Sequence, residues 1–157
     1  MSGPESVVQA PAESAGAATT GSSRSNHRVQ MRVLVVDDSL AVRQYMSTKL
    51  RQLAGDSFDI EIEQAASGEE AVSKVEAAPY DLVFLDVVMP GMGGHEACRR
   101  IKAIRKTRVA MLSSLKSQGD HKEGHIAGCD NYLTKPPQDG DLQAVLRIMY
   151  LRKSISA

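Results

Sequence analysis

A short apolar segment followed by a glycine-rich turn, Asp81 to Gly94 (DLVFLDVVMPGMGG), constrains the fold of this chain more than any other feature. Its first half is apolar without polar alternation, which is the pattern of a strand buried on both faces of a parallel sheet. Its second half has the glycines and the proline of a turn. Because open α/β sheets bind ligands at the carboxyl ends of their strands, we expect Asp86 to be an exposed, reactive carboxylate at that edge.

Strand and helix patterns alternate along the chain after Met31. The predicted strands are Arg32–Val36, Ile60–Ala65, Asp81–Asp86, Val109–Leu112 and Asn131–Thr134. An amphipathic segment follows each strand, and the last of these segments runs from about Asp139 to Lys153. Five strands that alternate with five helices predict a doubly wound α/β fold, with a five-stranded parallel sheet and helices on both faces.

Two of the predicted helices differ in the strength of their signal. The third, from Gly93 to Lys106, places Ala97, Ile101 and Ile104 on one face, which we expect to point inward. The fourth, Leu115–Gly128, contains three glycines and few large apolar residues, so any helix there is marginal.

The N-terminal segment and the composition limit the class of protein. Residues 1–30 are rich in Ala, Ser and Gly and are expected to be a disordered tail, which leaves residues 31–157 as one domain. Lys plus Arg and Asp plus Glu number 19 each, so the overall charge does not favour binding to nucleic acid or to a membrane. No apolar run reaches the length of a membrane span, and no secretory signal is evident, so a cytoplasmic location is expected. Cys98 and Cys129 have no metal-binding spacing and are expected to be reduced packing residues.

Five polar residues collect at the carboxyl ends of the predicted strands. They are Asp37 and Asp38 after the first strand, Asp86 on the third, Ser113 after the fourth and Lys135 after the fifth. Carboxylates about 4 Å apart repel by roughly 4 kcal/mol per pair at an effective dielectric of 20, so a cation is needed between them. Oxygen-only ligands favour Mg²⁺, while the lysine and the hydroxyl can bind phosphoryl oxygens. Asp86 is then the candidate nucleophile, as in aspartyl-phosphate chemistry.

The order of these motifs resembles the receiver domain of two-component response regulators over Met31 to about Lys153. The matching motifs are DDS after the first strand, LDVVMPGMGG, MLSS and YLTKP. The resemblance implies a flavodoxin-like fold in which Asp86 is the phosphoacceptor. It also implies that Asp38 and Asp86 bind Mg²⁺ directly, that Asp37 binds it through water, and that Val88 contributes its backbone carbonyl.

The resemblance further assigns roles to the residues on the fourth and fifth strands. Ser113 and Lys135 would bind the phosphoryl group, and Lys135–Pro136 would be a cis peptide bond. Ser113 and Tyr132 would be the switch residues that report phosphorylation. Gly93 stands where the family often has Asp, and Ser113 where Thr is commoner.

These features predict a phosphorylation-controlled signalling switch rather than an enzyme with a small substrate. A sensor histidine kinase or a histidine phosphotransfer protein would supply the phosphoryl group. The phosphorylated form would then bind an unidentified output protein through the face made by the fourth helix, the fifth strand and the last helix. No output domain is evident after the last helix, so a stand-alone single-domain regulator is expected. One alternative is a relay intermediate that passes the phosphoryl group to a histidine phosphotransfer protein.

Two other classes remain as alternatives. A Mg²⁺-dependent aspartyl-phosphate phosphatase would usually carry a second acid two residues after its nucleophile, and that position is Val88. A flavin or nucleotide binder of the same fold would need a phosphate loop after the first strand, where Asp37 and Asp38 would repel phosphate unless a metal intervened.

Overall fold

A computed structural model describes residues 28–114 and 127–156 of the chain. The strands are β1 (Val29–Val36), β2 (Phe58–Ala65), β3 (Leu82–Asp86), β4 (Arg108–Ser113) and β5 (Asn131–Thr134). The helices within these residues are α1 (Leu40–Ala54), α2 (Gly68–Ala77), α3 (Gly94–Ile104) and the C-terminal helix (Asp139–Ser156). No helix among the described residues is long and apolar enough to cross a bilayer.

The five strands form one parallel sheet in the order β2-β1-β3-β4-β5, which confirms the predicted doubly wound fold. Strand β3 is fully enclosed, as its apolar sequence predicts: Val83 and Leu85 pack in one hydrophobic cluster, and Leu82 and Phe84 in a second cluster on the other face. The chain order reverses between β1 and β3, so the carboxyl ends of these two strands border the crevice in which such sheets bind ligands.

Side-chain caps determine where the first two helices begin. The hydroxyl of Ser39 accepts a hydrogen bond from the backbone N–H of Val42 at the start of α1. At the start of α2, Ser67 accepts from the N–H of Glu70, while the Glu70 carboxylate accepts from the N–H of Ala66. Such caps satisfy amides that have no partner inside the helix. Both helices therefore begin within four residues of the end of the strand that precedes them.

The structure corrects several boundaries. Strand β1 begins at Val29, two residues inside the segment that the sequence assigns to the tail. Helix α3 ends at Ile104, which is 37% exposed and is not buried as expected, because the last residue of a helix has no following turn to shield it. Most of the predicted fourth helix, residues 115–126, lies outside the described residues.

The two cysteines pack inside the domain and differ in accessibility. Cys98 is fully buried in α3, with its Sγ 3.5 Å from the carbonyl oxygen of Ala127, whereas Cys129 is half-buried. Burial, with a smaller contribution from the neighbouring Cys129, raises the pKa of the Cys98 thiol to about 12. Only the thiolate reacts rapidly with alkylating agents, so Cys98 is expected to be unreactive at pH 8.

Peptide mass mapping after iodoacetamide treatment tests this expectation. In the native protein Cys129 should be alkylated at least about tenfold faster than Cys98, whereas in urea both should react at similar rates. Equal rates in the native protein would contradict the packing of α3 against the sheet.

Candidate functional site

The described residues contain one acidic cluster, formed by Asp37, Asp38 and Asp86 at the carboxyl ends of β1 and β3. Asp37 and Asp38 follow the last residue of β1, and Asp86 is the last residue of β3. One carboxylate oxygen of each residue lies within 4.8 Å of those of the other two. The two neighbouring strands thus bring together three groups that are up to 49 positions apart in the sequence, as predicted.

Burial of these carboxylates differs from the expectation for Asp86. Its side chain is not exposed: Asp86 is 4% accessible and Asp37 is 1% accessible, whereas Asp38 is exposed. The physical reason is that Asp86 lies within the crevice between two strand ends and is covered by Lys135. Asp38 is therefore the member of the cluster with the widest access to solvent.

Lys135 links the two buried carboxylates. Its Nζ lies 2.8 Å from Oδ2 of Asp37 and 3.1 Å from Oδ2 of Asp86. Partial burial by itself lowers the pKa of Lys135, but the hydrogen bonds and attraction from both carboxylates outweigh it, so the pKa is raised. The lysine is consequently a fixed positive charge at neutral pH. Its backbone N–H donates to the carbonyl of Ser113, and the Lys135–Pro136 peptide bond is cis, as expected.

The negative charge in the surroundings of Asp86 is larger than Lys135 can offset. Burial raises the pKa of Asp86, and repulsion from Asp37 raises it further, against the lowering effect of Lys135 and of a hydrogen bond from the backbone of Val88. When all three carboxylates are ionised, their negative charge exceeds the positive charge of the one lysine by two units. A divalent cation would remove that excess, and an oxygen-only donor set suits Mg²⁺.

Asp37 is held in place by neighbouring backbone and side-chain groups. The N–H of Ser39 donates to Oδ1 of Asp37 at 2.8 Å, and Nη1 of Arg43 donates to the Asp37 carbonyl at the same distance. Arg43 is anchored in turn by Gln64, whose Oε1 accepts from its Nε at 3.0 Å. Sequence analysis does not identify Arg43, because an arginine on the polar face of a helix gives no signal of such a contact.

The loop after β3 brings backbone to the pocket at Val88. The Val88 side chain is 60% exposed, while its N–H hydrogen-bonds to Asp86, so its main chain borders the carboxylates. The N–H of Gly94, at the start of α3, donates to the carbonyl of Val87 at 2.9 Å. A side chain at Gly94 would collide with the backbone of Asp86 and Val87. The loop and the helix start are therefore packed directly against the end of β3.

The remaining predicted residues lie on the two strands beyond β3. Ser113 is buried at the end of β4, one position past Leu112, which is paired with Asp86. Tyr132 lies on the edge strand β5, paired with Met111, so it is not in the acidic cluster. Its ring stacks on His95 of α3, with centroids 6.3 Å apart and planes at 23°. No sequence pattern singles out His95.

Comparisons with known proteins agree with this geometry. The family model described as "Response regulator receiver domain" matches residues 33–147. Transcriptional regulatory protein ResD of Bacillus subtilis is 33% identical over 127 residues, which cover 81% of this chain and 50% of ResD. Protein PilG of Pseudomonas aeruginosa is 32% identical over 120 residues, 74% of this chain and 85% of PilG. The chain thus spans about half the length of ResD and most of PilG.

Solved structures give the same result. The receiver domain of the histidine kinase CKI1 from Arabidopsis thaliana, solved in complex with Mg²⁺ and BeF₃⁻, is 29% identical, with a TM-score of 0.66 over 76% of this chain and 89% of that one. The family match covers well over half of the sequence and includes the end of β1 and all of β3, β4 and β5, whose carboxyl ends carry the pocket residues. The chain therefore belongs to the response regulator receiver domain family of two-component signalling.

Proposed function

We propose that this receiver domain accepts a phosphoryl group on Asp86 from a histidine kinase or a histidine phosphotransfer protein, in a Mg²⁺-dependent reaction. The observation that supports this proposal is the pocket in which Asp37, Asp38 and Asp86 lie together with Lys135 bound between two of them. A carboxylate nucleophile, a cation site and a fixed positive charge are the groups that phosphoryl transfer to aspartate requires.

The residues that would hold Mg²⁺ are Asp38 and Asp86 through their carboxylates, Val88 through its backbone carbonyl and Asp37 through water. The excess negative charge of the cluster and its oxygen donors support this assignment. When bound, Mg²⁺ would neutralise charge on the carboxylates and on the phosphoryl oxygens. The CKI1 receiver domain, to which this chain is similar, was solved with Mg²⁺ and BeF₃⁻ bound, and this supports Mg²⁺ as the cation.

The transfer step makes one bond and breaks one. A carboxylate oxygen of Asp86 attacks phosphorus, and the P–N bond of the donor phosphohistidine breaks with its electron pair going to the imidazole nitrogen. Lys135, kept protonated by its raised pKa, can bind one phosphoryl oxygen. The Ser113 hydroxyl, at the end of the strand next to β3, can donate to another. By positioning the reacting groups and balancing their charge, the protein thus promotes its own phosphorylation rather than the conversion of a small-molecule substrate.

Phosphorylation would then change the binding surface. The aspartyl phosphate carries about −2 charge, which is about one unit more negative than the buried carboxylate it replaces. We assign Ser113 and Tyr132 as the residues that transmit this change, because Ser113 lies beside Asp86 in the sheet and Tyr132 lies on the next strand, stacked on His95. An output protein would bind the face that includes β5 and the C-terminal helix. The described contacts do not favour the relay alternative over this one.

Incubation with Mg²⁺ and acetyl phosphate, followed by intact-mass spectrometry, tests the assignment. The wild-type protein is expected to gain one phosphoryl group, and Asp86→Asn is expected to gain none, because an amide is not a nucleophile of comparable strength. Addition of EDTA should abolish the adduct in the wild type.

Asp81→Asn is the matched control, since Asp81 directly precedes the first residue of β3, at the end opposite to Asp86, and its carboxylate is paired with Lys153. This variant should be phosphorylated like the wild type. An adduct that persists in Asp86→Asn, or its absence from the folded wild-type protein, would refute Asp86 as the phosphoacceptor.

A further inference from the structure

The loop that connects β3 to α3, residues 87–93, has no side-chain cap at its far end. Gly93 is the N-cap residue of α3, and no side chain there accepts a hydrogen bond from the first turn of the helix. A capping side chain normally holds a loop to the helix that follows. Because the backbone of Val88 in this loop borders the acidic cluster, the position of the loop matters for the pocket.

A glutamate from a different helix contacts the loop instead. Oε2 of Glu69, in the first turn of α2, accepts a hydrogen bond from the backbone N–H of Met92 at 3.0 Å. Gly91 has a φ of +77°, and a Cβ there would lie only 2.8 Å from the same oxygen. A Cβ at Gly68 would lie 2.7 Å from the carbonyl oxygen of Met92. Helix α2 and the loop are therefore in close contact through backbone atoms and one carboxylate.

We propose that Glu69 is a positioning residue for phosphoryl transfer. Its carboxylate anchors Met92 and thereby fixes the loop whose Val88 backbone faces Asp86. The proposal rests on the function proposed above, because it concerns the same pocket. Hydrogen bonds to a charged acceptor are stronger than neutral ones, but this one is exposed to solvent, so its loss is expected to loosen the loop without unfolding the domain.

A purely structural role for Glu69 would be to stabilise α2, since acidic residues in the first turn interact favourably with the helix dipole. Glu70 occupies the same turn and also accepts a hydrogen bond, but from the N–H of Ala66, and within residues 28–114 no hydrogen bond between Glu70 and the loop is found. Glu70→Ala is therefore a matched control for charge and helix stability. Glu69→Gln removes the charge of Glu69 while its amide oxygen can still accept from Met92.

Hydrogen exchange of the Met92 amide, measured by NMR in the metal-free protein, tests the contact directly. Exchange is expected to be about 3- to 10-fold faster in Glu69→Ala than in the wild type, and close to wild type in Glu69→Gln and Glu70→Ala. Unchanged exchange in Glu69→Ala, or equal acceleration in Glu70→Ala, would overturn the proposal.

The Mg²⁺ dependence of phosphorylation by acetyl phosphate tests the consequence. In Glu69→Ala the Mg²⁺ concentration that gives half-maximal rate is expected to rise about 3- to 10-fold, and Glu69→Gln should restore it. Wild-type Mg²⁺ dependence in Glu69→Ala would refute the positioning role while leaving Asp86 as the acceptor. Failure of the wild-type protein itself to be phosphorylated would instead refute the proposed function, and the exchange measurement would still report on the contact.

Discussion

Replacing Lys135 with methionine is expected to lower the free energy of unfolding of the metal-free protein by about 1–3 kcal/mol at neutral pH. Lys135 lies within 3.1 Å of two carboxylates that are almost fully buried, and methionine has a similar length without the charge. Removing one partner of a buried ion pair usually costs more than this range, but the Lys135 side chain is 23% exposed, so water reduces the loss. Urea unfolding of both proteins at pH 7 measures this difference in the free energy of unfolding.

The destabilisation should depend on pH. Burial and Asp37 already raise the pKa of Asp86, and loss of Lys135 removes a group that lowers it, so this pKa rises further in the variant. A carboxyl group whose pKa is higher in the folded state favours folding at low pH and loses that contribution as pH rises through the folded-state pKa. The difference in the free energy of unfolding between wild type and the variant should therefore be large at pH 7 and become smaller toward pH 4.

Lys49→Met provides a matched control, and Mg²⁺ provides a rescue. Lys49 is also 23% exposed and lies 3.3 Å from Asp139, but the Asp139 carboxylate is 55% exposed. Loss of this ion pair should therefore lower the free energy of unfolding by about 0.5 kcal/mol or less. Millimolar Mg²⁺ should stabilise Lys135→Met more than wild type, because the cation replaces the missing charge. An equal cost for both variants, or no selective rescue by Mg²⁺, would contradict the electrostatic account of the pocket.

The sheet and the participants of the pocket could be predicted because they depend on short-range patterns. Apolar runs without alternation identify β1, β3 and β4 as buried parallel strands, and residues that follow such strands must meet at one edge. That argument places Asp37, Asp38 and Asp86 together, as observed. It does not give accessibility, and the expected exposure of Asp86 was wrong because Lys135, from a distant segment, covers it.

The contacts that position the pocket could not be predicted, because they depend on the packing of one element against another. Arg43 binds the carbonyl of Asp37 and Glu69 binds the N–H of Met92, yet both are charged residues on helix surfaces, where most charges are solvated. The expectation that Ile104 points inward was wrong for a related reason. Helical periodicity gives the direction of a side chain but not where the helix ends, and Ile104 is the last residue of α3.

Gly94→Ala is expected to lower the free energy of unfolding by about 3 kcal/mol and to impair phosphorylation at the same time. A Cβ at position 94 would overlap the carbonyl oxygen of Asp86 and lie 2.8 Å from Cα of Val87. Both obstacles are backbone atoms, so no side-chain rotation can relieve them, and either α3 or the end of β3 must move. Movement of β3 displaces Asp86 itself. The variant should therefore show a lower melting temperature and slower formation of the phosphoryl adduct in acetyl phosphate.

Gly140→Ala separates this steric effect from the general preference of helices for alanine. Gly140 lies in the first turn of the C-terminal helix, and apart from its own helix backbone no atom of the described residues would lie within 4 Å of a Cβ at this position, so the substitution should be neutral or stabilise the protein by up to about 1 kcal/mol. It should leave phosphorylation unchanged. A stable, normally phosphorylated Gly94→Ala protein would mean that α3 can shift without disturbing Asp86. In that case the close contact between the start of α3 and the end of β3 would not be what holds the acceptor carboxylate in place.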